Sequence, residues 1–210
     1  MQLREERKDA AEHRQRILQS ALQLFREHGV EQVSMHRIAK QAGVGQGTLY
    51  RRYGNKGDLC MDLIFDSYTK FKERVSFYLE QSAAESPDMR LDGVLGQCID
   101  YIDDKADLLA VLRTLGGDQR PGPGTVYHSP PYRFMHDVFV RLILEIKQTQ
   151  NRPDGAGEAE FVAHAIMAAL CPDLYFELRF GQGMSKEQIK ERFRAFYVER
   201  AYTDQVNATR

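Results

Sequence analysis

The chain has 210 residues, 42% of them apolar and 28% charged, with a formal net charge of −1. That is enough for one large globular domain or two small ones. No run approaches the roughly 18 apolar residues of a membrane span, and the charged start, MQLREERKDAAEHRQR, lacks the apolar core of a secretory signal, so a cytoplasmic protein with no membrane partner is expected.

Helical periodicity dominates and period-2 alternation is scarce, which predicts an all-α fold of about nine helices. The first helix is expected over 10–28, with Ile17, Leu18, Ala21, Leu22, Leu24 and Phe25 on one face and Gly29 as its left-handed stop. Ser34 caps a short helix over 35–42 that ends at Gly43, and another short helix follows over 45–52. Asn55 caps a long fourth helix, with Asp58 placed as in a capping box and Leu59, Leu63, Phe71, Val75 and Leu79 on one face. Helices are then expected over 89–103 and 105–115. Residues 116–131 are too rich in glycine and proline for regular structure. Helix returns over 131–150 and again over 158–180, where Pro172 is expected to introduce a kink. Ser185 caps the last helix.

Ser34 to Tyr53 has the make-up of a helix-turn-helix. Such a motif needs two short helices, a tight turn and small residues where the backbones approach. Ala39 permits the approach, Gly43 the turn, and Ile38, Val44 and Leu49 a shared core. The second helix then offers Gln46, Thr48, Tyr50 and Arg51 to a major groove. Charge agrees with this reading. Residues 1–60 carry 11 Lys/Arg against 7 Asp/Glu, and residues 61–210 carry 18 against 23. A basic end on an acidic chain points to a polyanionic partner at that end.

The patterns RxxILxxALxLFxxxG (Arg14 to Gly29), SMxxIAxxAGVxxGTLYxxY (Ser34 to Tyr53) and NKxxL (Asn55 to Leu59) lie in one register over about 45 residues. In this they resemble the tetracycline-repressor (TetR) family. The resemblance implies a three-helix DNA-binding head over 1–54 and a larger helical ligand-binding and dimerisation domain over 55–210. It also implies a homodimer formed through the last two helices, an operator of palindromic double-stranded DNA, and release by a small-molecule effector. By position, Tyr50, Arg52 and Lys56 match phosphate-gripping residues. Thr48 and the amide of Gly47 are further phosphate candidates, Gln46 is the base reader, and Ser34, Arg37 and Arg51 are additional DNA contacts. Three positions depart from the family pattern: Gly45 stands where a capping serine is common, Gln46 where lysine is, and Gly57 where glutamate is frequent. They leave the operator sequence open, and Gly45 and Gly57 supply the support for an alternative, a ligand-binding or interaction protein whose helix-turn-helix no longer binds DNA.

The remaining residues speak less clearly. Phe71, Tyr101, Phe134, His136, Phe139, His164 and Tyr175 fall on helices that surround the family's ligand cavity, and they suggest a pocket for an apolar or aromatic molecule with a few polar anchors. Ala163, Ala165, Ala168 and Ala169 make one side of their helix small, suited to close helix contact. His128, His136 and His164 have no local ligand spacing, so neither a metal nor another cofactor is expected. Cys60, Cys98 and Cys171 form no CxxC pair and are read as free thiols. With no nucleophile–base pair or phosphate loop, no enzyme activity is expected.

Overall fold

Two glycines in the left-handed backbone region delimit the first helices. α1 runs Gln2–His28 and is followed by Gly29 at φ 77°. α2 runs Met35–Ala42, and Gly43 ends it at φ 64°, its N–H directed to the carbonyls of Ala39 and Lys40. A side chain with a Cβ is strained in that region, whereas glycine is not. The computed structural model describes residues 2–114, 128–153 and 157–199. Among these the helices continue as α3 Gln46–Arg52, α4 Lys56–Gln81, α5 Pro87–Asp104, α6 Ala106–Thr114, α7 Pro130–Thr149, α8 Glu158–Ala169, α9 Pro172–Phe176 and α10 Lys186–Arg194, with no strand. α9 and α10 each run on into a wider π-type turn, Glu177–Gly181 and Ala195–Glu199.

The all-α expectation holds, with differences at the ends of elements. α1 begins well before Ala10, because QLREERKD contains no glycine or proline and is made of good helix formers. The helix expected over 158–180 is divided. α8 stops at Ala169, Cys171 caps α9, and Pro172 takes the first helical position, where its missing N–H costs no bond. The two pieces are bent by 49°. Residues 115–127, most of the glycine- and proline-rich stretch, lie outside the described residues.

The chain packs as two units. The first comprises the chain to Thr69 and a return from Asp107; the second begins at Lys70, runs to Ala106 and resumes after the return. The first unit therefore draws on more chain than the expected 1–54 head. Its core gathers Ile17, Leu18, Ala21, Leu24 and Phe25 of α1, Ile38 and Ala39 of α2, Leu49 of α3, Leu59 and Leu63 of α4, and Leu108 of α6. Each leucine, isoleucine or phenylalanine side chain among them contributes roughly 1.5–3 kcal/mol by leaving water. In the second unit Leu91, Leu95 and Ile99 of α5 are buried, as are Phe139 and Leu142 of α7, Ile166 of α8 and Ile189 of α10. α7 packs on α8, and α5 on both α7 and α10. The three cysteines are free. Burial pushes the Cys60 thiol up to about 11 and Cys98 up to about 12, which leaves both neutral and unreactive.

Candidate nucleic-acid interface

Ser34 has extended backbone, and its Oγ accepts from the Arg37 amide at 3.2 Å, which starts α2. Four of the eight α2 residues, Met35, Ile38, Ala39 and Ala42, turn inward. His36, Arg37 and Lys40 are left exposed. The turn closes where the Val44 amide donates to the Ala39 carbonyl at 3.0 Å. α3 buries only Leu49 of its seven residues. Gln46, Gly47, Tyr50, Arg51 and Arg52 are exposed and Thr48 is half-buried. Tyr50 is 47% exposed while Tyr53, four residues after Leu49, is 4% exposed, so the core tyrosine of this segment is Tyr53. From Ser34 to Tyr53 there is no Asp or Glu, against the cations Arg37, Lys40, Arg51 and Arg52.

Several of these side chains are already held in place. The amide nitrogen of Gln46 pairs with Nδ1 of His36, which ties the first residue of α3 to α2. Arg37 Nη2 lies 2.6 Å from His28 Nε2. Lys56 donates to the carbonyls of Val30 at 2.9 Å and Glu31 at 3.2 Å. Two of its three ammonium donors are thus spent on the segment before α2. Asn55 Oδ1 accepts from the Asp58 amide at 3.0 Å and caps α4.

Two histidines escaped sequence reasoning. His36 sits in the motif between residues chosen for other reasons. His13 of α1 joins Thr48, Arg51 and Arg52 around a concavity of about 410 Å³. Its only signal in the chain is its place just before Arg14, and folding alone brings it beside α3. Behind this surface, Arg14 donates to both Asp62 oxygens at 2.9 and 2.7 Å and to Asp66 at 3.2 Å. The Tyr53 hydroxyl donates to Asp62 at 2.6 Å. Burial raises the Asp62 pKa, but the hydrogen bonds from Arg14 and Tyr53 and the nearby guanidinium charge outweigh it and hold the carboxyl below the usual range. The Tyr53 phenol is pushed up, first by burial and then by its bond to Asp62.

The residues assigned to a ligand pocket fall in five places within the second unit. Phe71 is buried against Tyr101, ring centroids 4.5 Å apart. His136 and His164 stand 4.3 Å apart, with the Tyr132 hydroxyl 2.6 Å from His164 Nδ1. Phe139 is fully buried in the core. The Tyr175 hydroxyl donates to Asp103. Phe134 joins none of these. It lines a cleft of about 330 Å³ with Leu79 of α4, Arg90 of α5, and Val138, Arg141 and Glu145 of α7.

Comparison with known proteins agrees with the geometry. The family model for "Bacterial regulatory proteins, tetR family" matches residues 17–61. An HTH-type transcriptional regulator of Staphylococcus aureus strain MRSA252 is 46% identical over 137 residues, 63% of this chain and 70% of the relative. The chain belongs to the TetR family. This TetR-family transcriptional regulator also matches an HTH-type regulator of S. aureus strain bovine RF122 at 59% identity over 58 residues, a match that spans 31% of that relative's length. Among solved structures, a TetR/AcrR-family regulator from Thermobifida fusca has the same fold with a TM-score of 0.62 at 19% identity, covering 88% of this chain and 96% of that one. The Bacillus subtilis regulator FadR, solved with stearoyl-CoA, aligns with a TM-score of 0.59 at 20% identity, covering 88% of this chain and 97% of FadR.

Proposed function

We propose that this TetR-family regulator is a homodimeric repressor that binds a palindromic operator through α2 and α3 and leaves it when a small molecule occupies its second unit. One observation carries the reading: the outward faces of α2 and α3 form an acid-free surface with four cations and an exposed Tyr50. Tyr50, Arg52, Thr48 and the Gly47 amide grip phosphates, and phosphate contacts set register without reading sequence. Gln46 reads a base edge, adenine being the partner that suits a carboxamide. Ser34, Arg37, Arg51 and Lys56 contact the flanking backbone, Lys56 through its remaining donor.

α8 supplies a surface for a second copy. Phe161 (74% exposed), His164, Ala165 and Ala168 lie at helical spacing on its outer side, and Phe196 beyond α10 is 56% exposed. Ala163, by contrast, is buried inside the protomer. Twofold pairing presents two heads to a palindrome. Release requires the effector to bind the DNA-free arrangement more tightly than the DNA-bound one.

Fluorescence anisotropy with a labelled random duplex over a salt series tests the DNA reading. The logarithm of the binding constant is expected to fall linearly with log salt, with a slope of about −0.9 per phosphate neutralised. Arg52→Ala, which removes one phosphate contact from each of the two heads, is expected to flatten that slope by about two. If no complex forms at low salt, the DNA reading is wrong.

A further inference from the structure

We infer that the cleft between α4, α5 and α7 is a receptor for a small organic anion with an apolar stem, and that Arg90 is the residue that reads its charge. This deepens the reading of the second unit as the effector-sensing part and rests on it. The Arg90 side chain is only 13% exposed and is paired with Glu145 through Nη2. Its Nε is buried and has no hydrogen-bond partner. A buried guanidinium donor left unmet is costly, and a planar guanidinium meets a carboxylate or similar oxyanion through paired N–H donors. The Arg90 side chain lines an open cleft of about 330 Å³, at the small end of the range for small-molecule sites, and a small turn of the guanidinium would bring the unmet donor to it.

The rest of the cleft suits the remainder of such a ligand. Leu79 and Val138 are buried apolar walls. Phe134 offers a ring face, with the Lys72 ammonium 5.0 Å from its centroid, so a further cation stands by this wall. The facing carboxylates are Glu80 and Glu145. Glu145 has a second cation within reach, Arg141 Nε at 3.9 Å one helical turn away. An incoming anion can therefore take Arg90 while Glu145 passes to Arg141, and no charge is stranded. Such an exchange engages α5 and α7 through their side chains beside Ser76 and Leu79 of α4.

The carboxylate and its neutral isostere separate charge reading from apolar binding. Isothermal titration calorimetry on the full chain would use 2-naphthoate and 2-naphthamide as probes. Wild-type protein is expected to prefer naphthoate by about tenfold, the worth of a charge-assisted hydrogen bond. Arg90→Gln is expected to abolish that preference. Glu145→Gln removes the competing carboxylate and is expected to tighten naphthoate several-fold while leaving naphthamide unchanged. Opposite signs are the point, because two merely structural partners would weaken binding together. Should Arg90→Gln fail to fold, the sign for Glu145→Gln decides alone. Equal binding of the two probes, no binding of either, or Glu145→Gln failing to tighten naphthoate overturns the proposal. Because calorimetry involves no DNA, its failure leaves the random-duplex result standing, and the reverse also holds.

Discussion

At the scale of single residues, position relative to Leu49 decides roles that residue type leaves open. Tyr50 and Tyr53 are the same amino acid three positions apart, yet one is exposed and the other buried. Helical spacing accounts for this, since a residue four after a core leucine shares its face. Spacing could not reveal what the Tyr53 hydroxyl bonds, because Asp62 lies on another helix. That bond gives a pH prediction. A carboxyl held below its ordinary value of about 3.9 stabilises the fold above that value, and the contribution is lost as pH falls through the folded-state value. Tyr53→Phe removes one donor to Asp62, so the variant is expected to be less stable at pH 7 by about 1 kcal/mol, partial exposure of Asp62 keeping the figure small. Urea denaturation is expected to show the deficit shrinking at pH 3 and below. An equal deficit at both pH values would mean that the hydroxyl does not act through the Asp62 charge.

At the scale of elements, the helix starts were the most legible feature, because a cap is a local bargain between one side chain and one amide. Ser34, Asn55 and Ser185 all cap as their positions suggest, and Ser185 forms the full reciprocal box with Gln188. The start of α3 is weaker, for Gly45 provides no side-chain cap at φ −62° and ψ 144°. A Cβ there meets only Thr48 Oγ1, at 3.8 Å, an ordinary contact. Gly45→Ser is therefore expected to stabilise the first unit by a few tenths of a kcal/mol, seen in calorimetry as a rise of about 1 °C in Tm. The substitution adds no charge, so the salt slope on random duplex is expected to stay unchanged. A lowered Tm would show that the serine finds no amide. The division between α8 and α9 was less legible. A proline signals a bend, but whether it kinks a helix or starts a new one depends on what the preceding residue does, and here Cys171 caps with its sulfur. The ligand-pocket residues were the least legible, for aromatic side chains on core helices serve packing as readily as binding, and Phe139 is fully buried in the core.

At the scale of the whole molecule, the small net charge conceals a basic head, and the head is short. A single α3 of seven residues offers few contacts, so the binding free energy depends on how many heads act together. Twofold pairing doubles the phosphates neutralised per binding event, and the salt slope counts them. Light scattering is expected to give a mass about twice the chain's 24.2 kDa. Phe161 is the residue on which to test this. It is 74% exposed, so replacing it disturbs little of the protomer's own core, whereas a carboxylate facing its twofold mate across an apolar stripe would be desolvated beside a like charge. Phe161→Glu is expected to yield a monomer with an unchanged circular dichroism spectrum and about half the wild-type salt slope on random duplex. A variant that keeps both the double mass and the full slope would move the dimer contact away from α8. One that becomes monomeric yet keeps the full slope would mean that a single head makes all the phosphate contacts, and the palindrome would lose its structural reason.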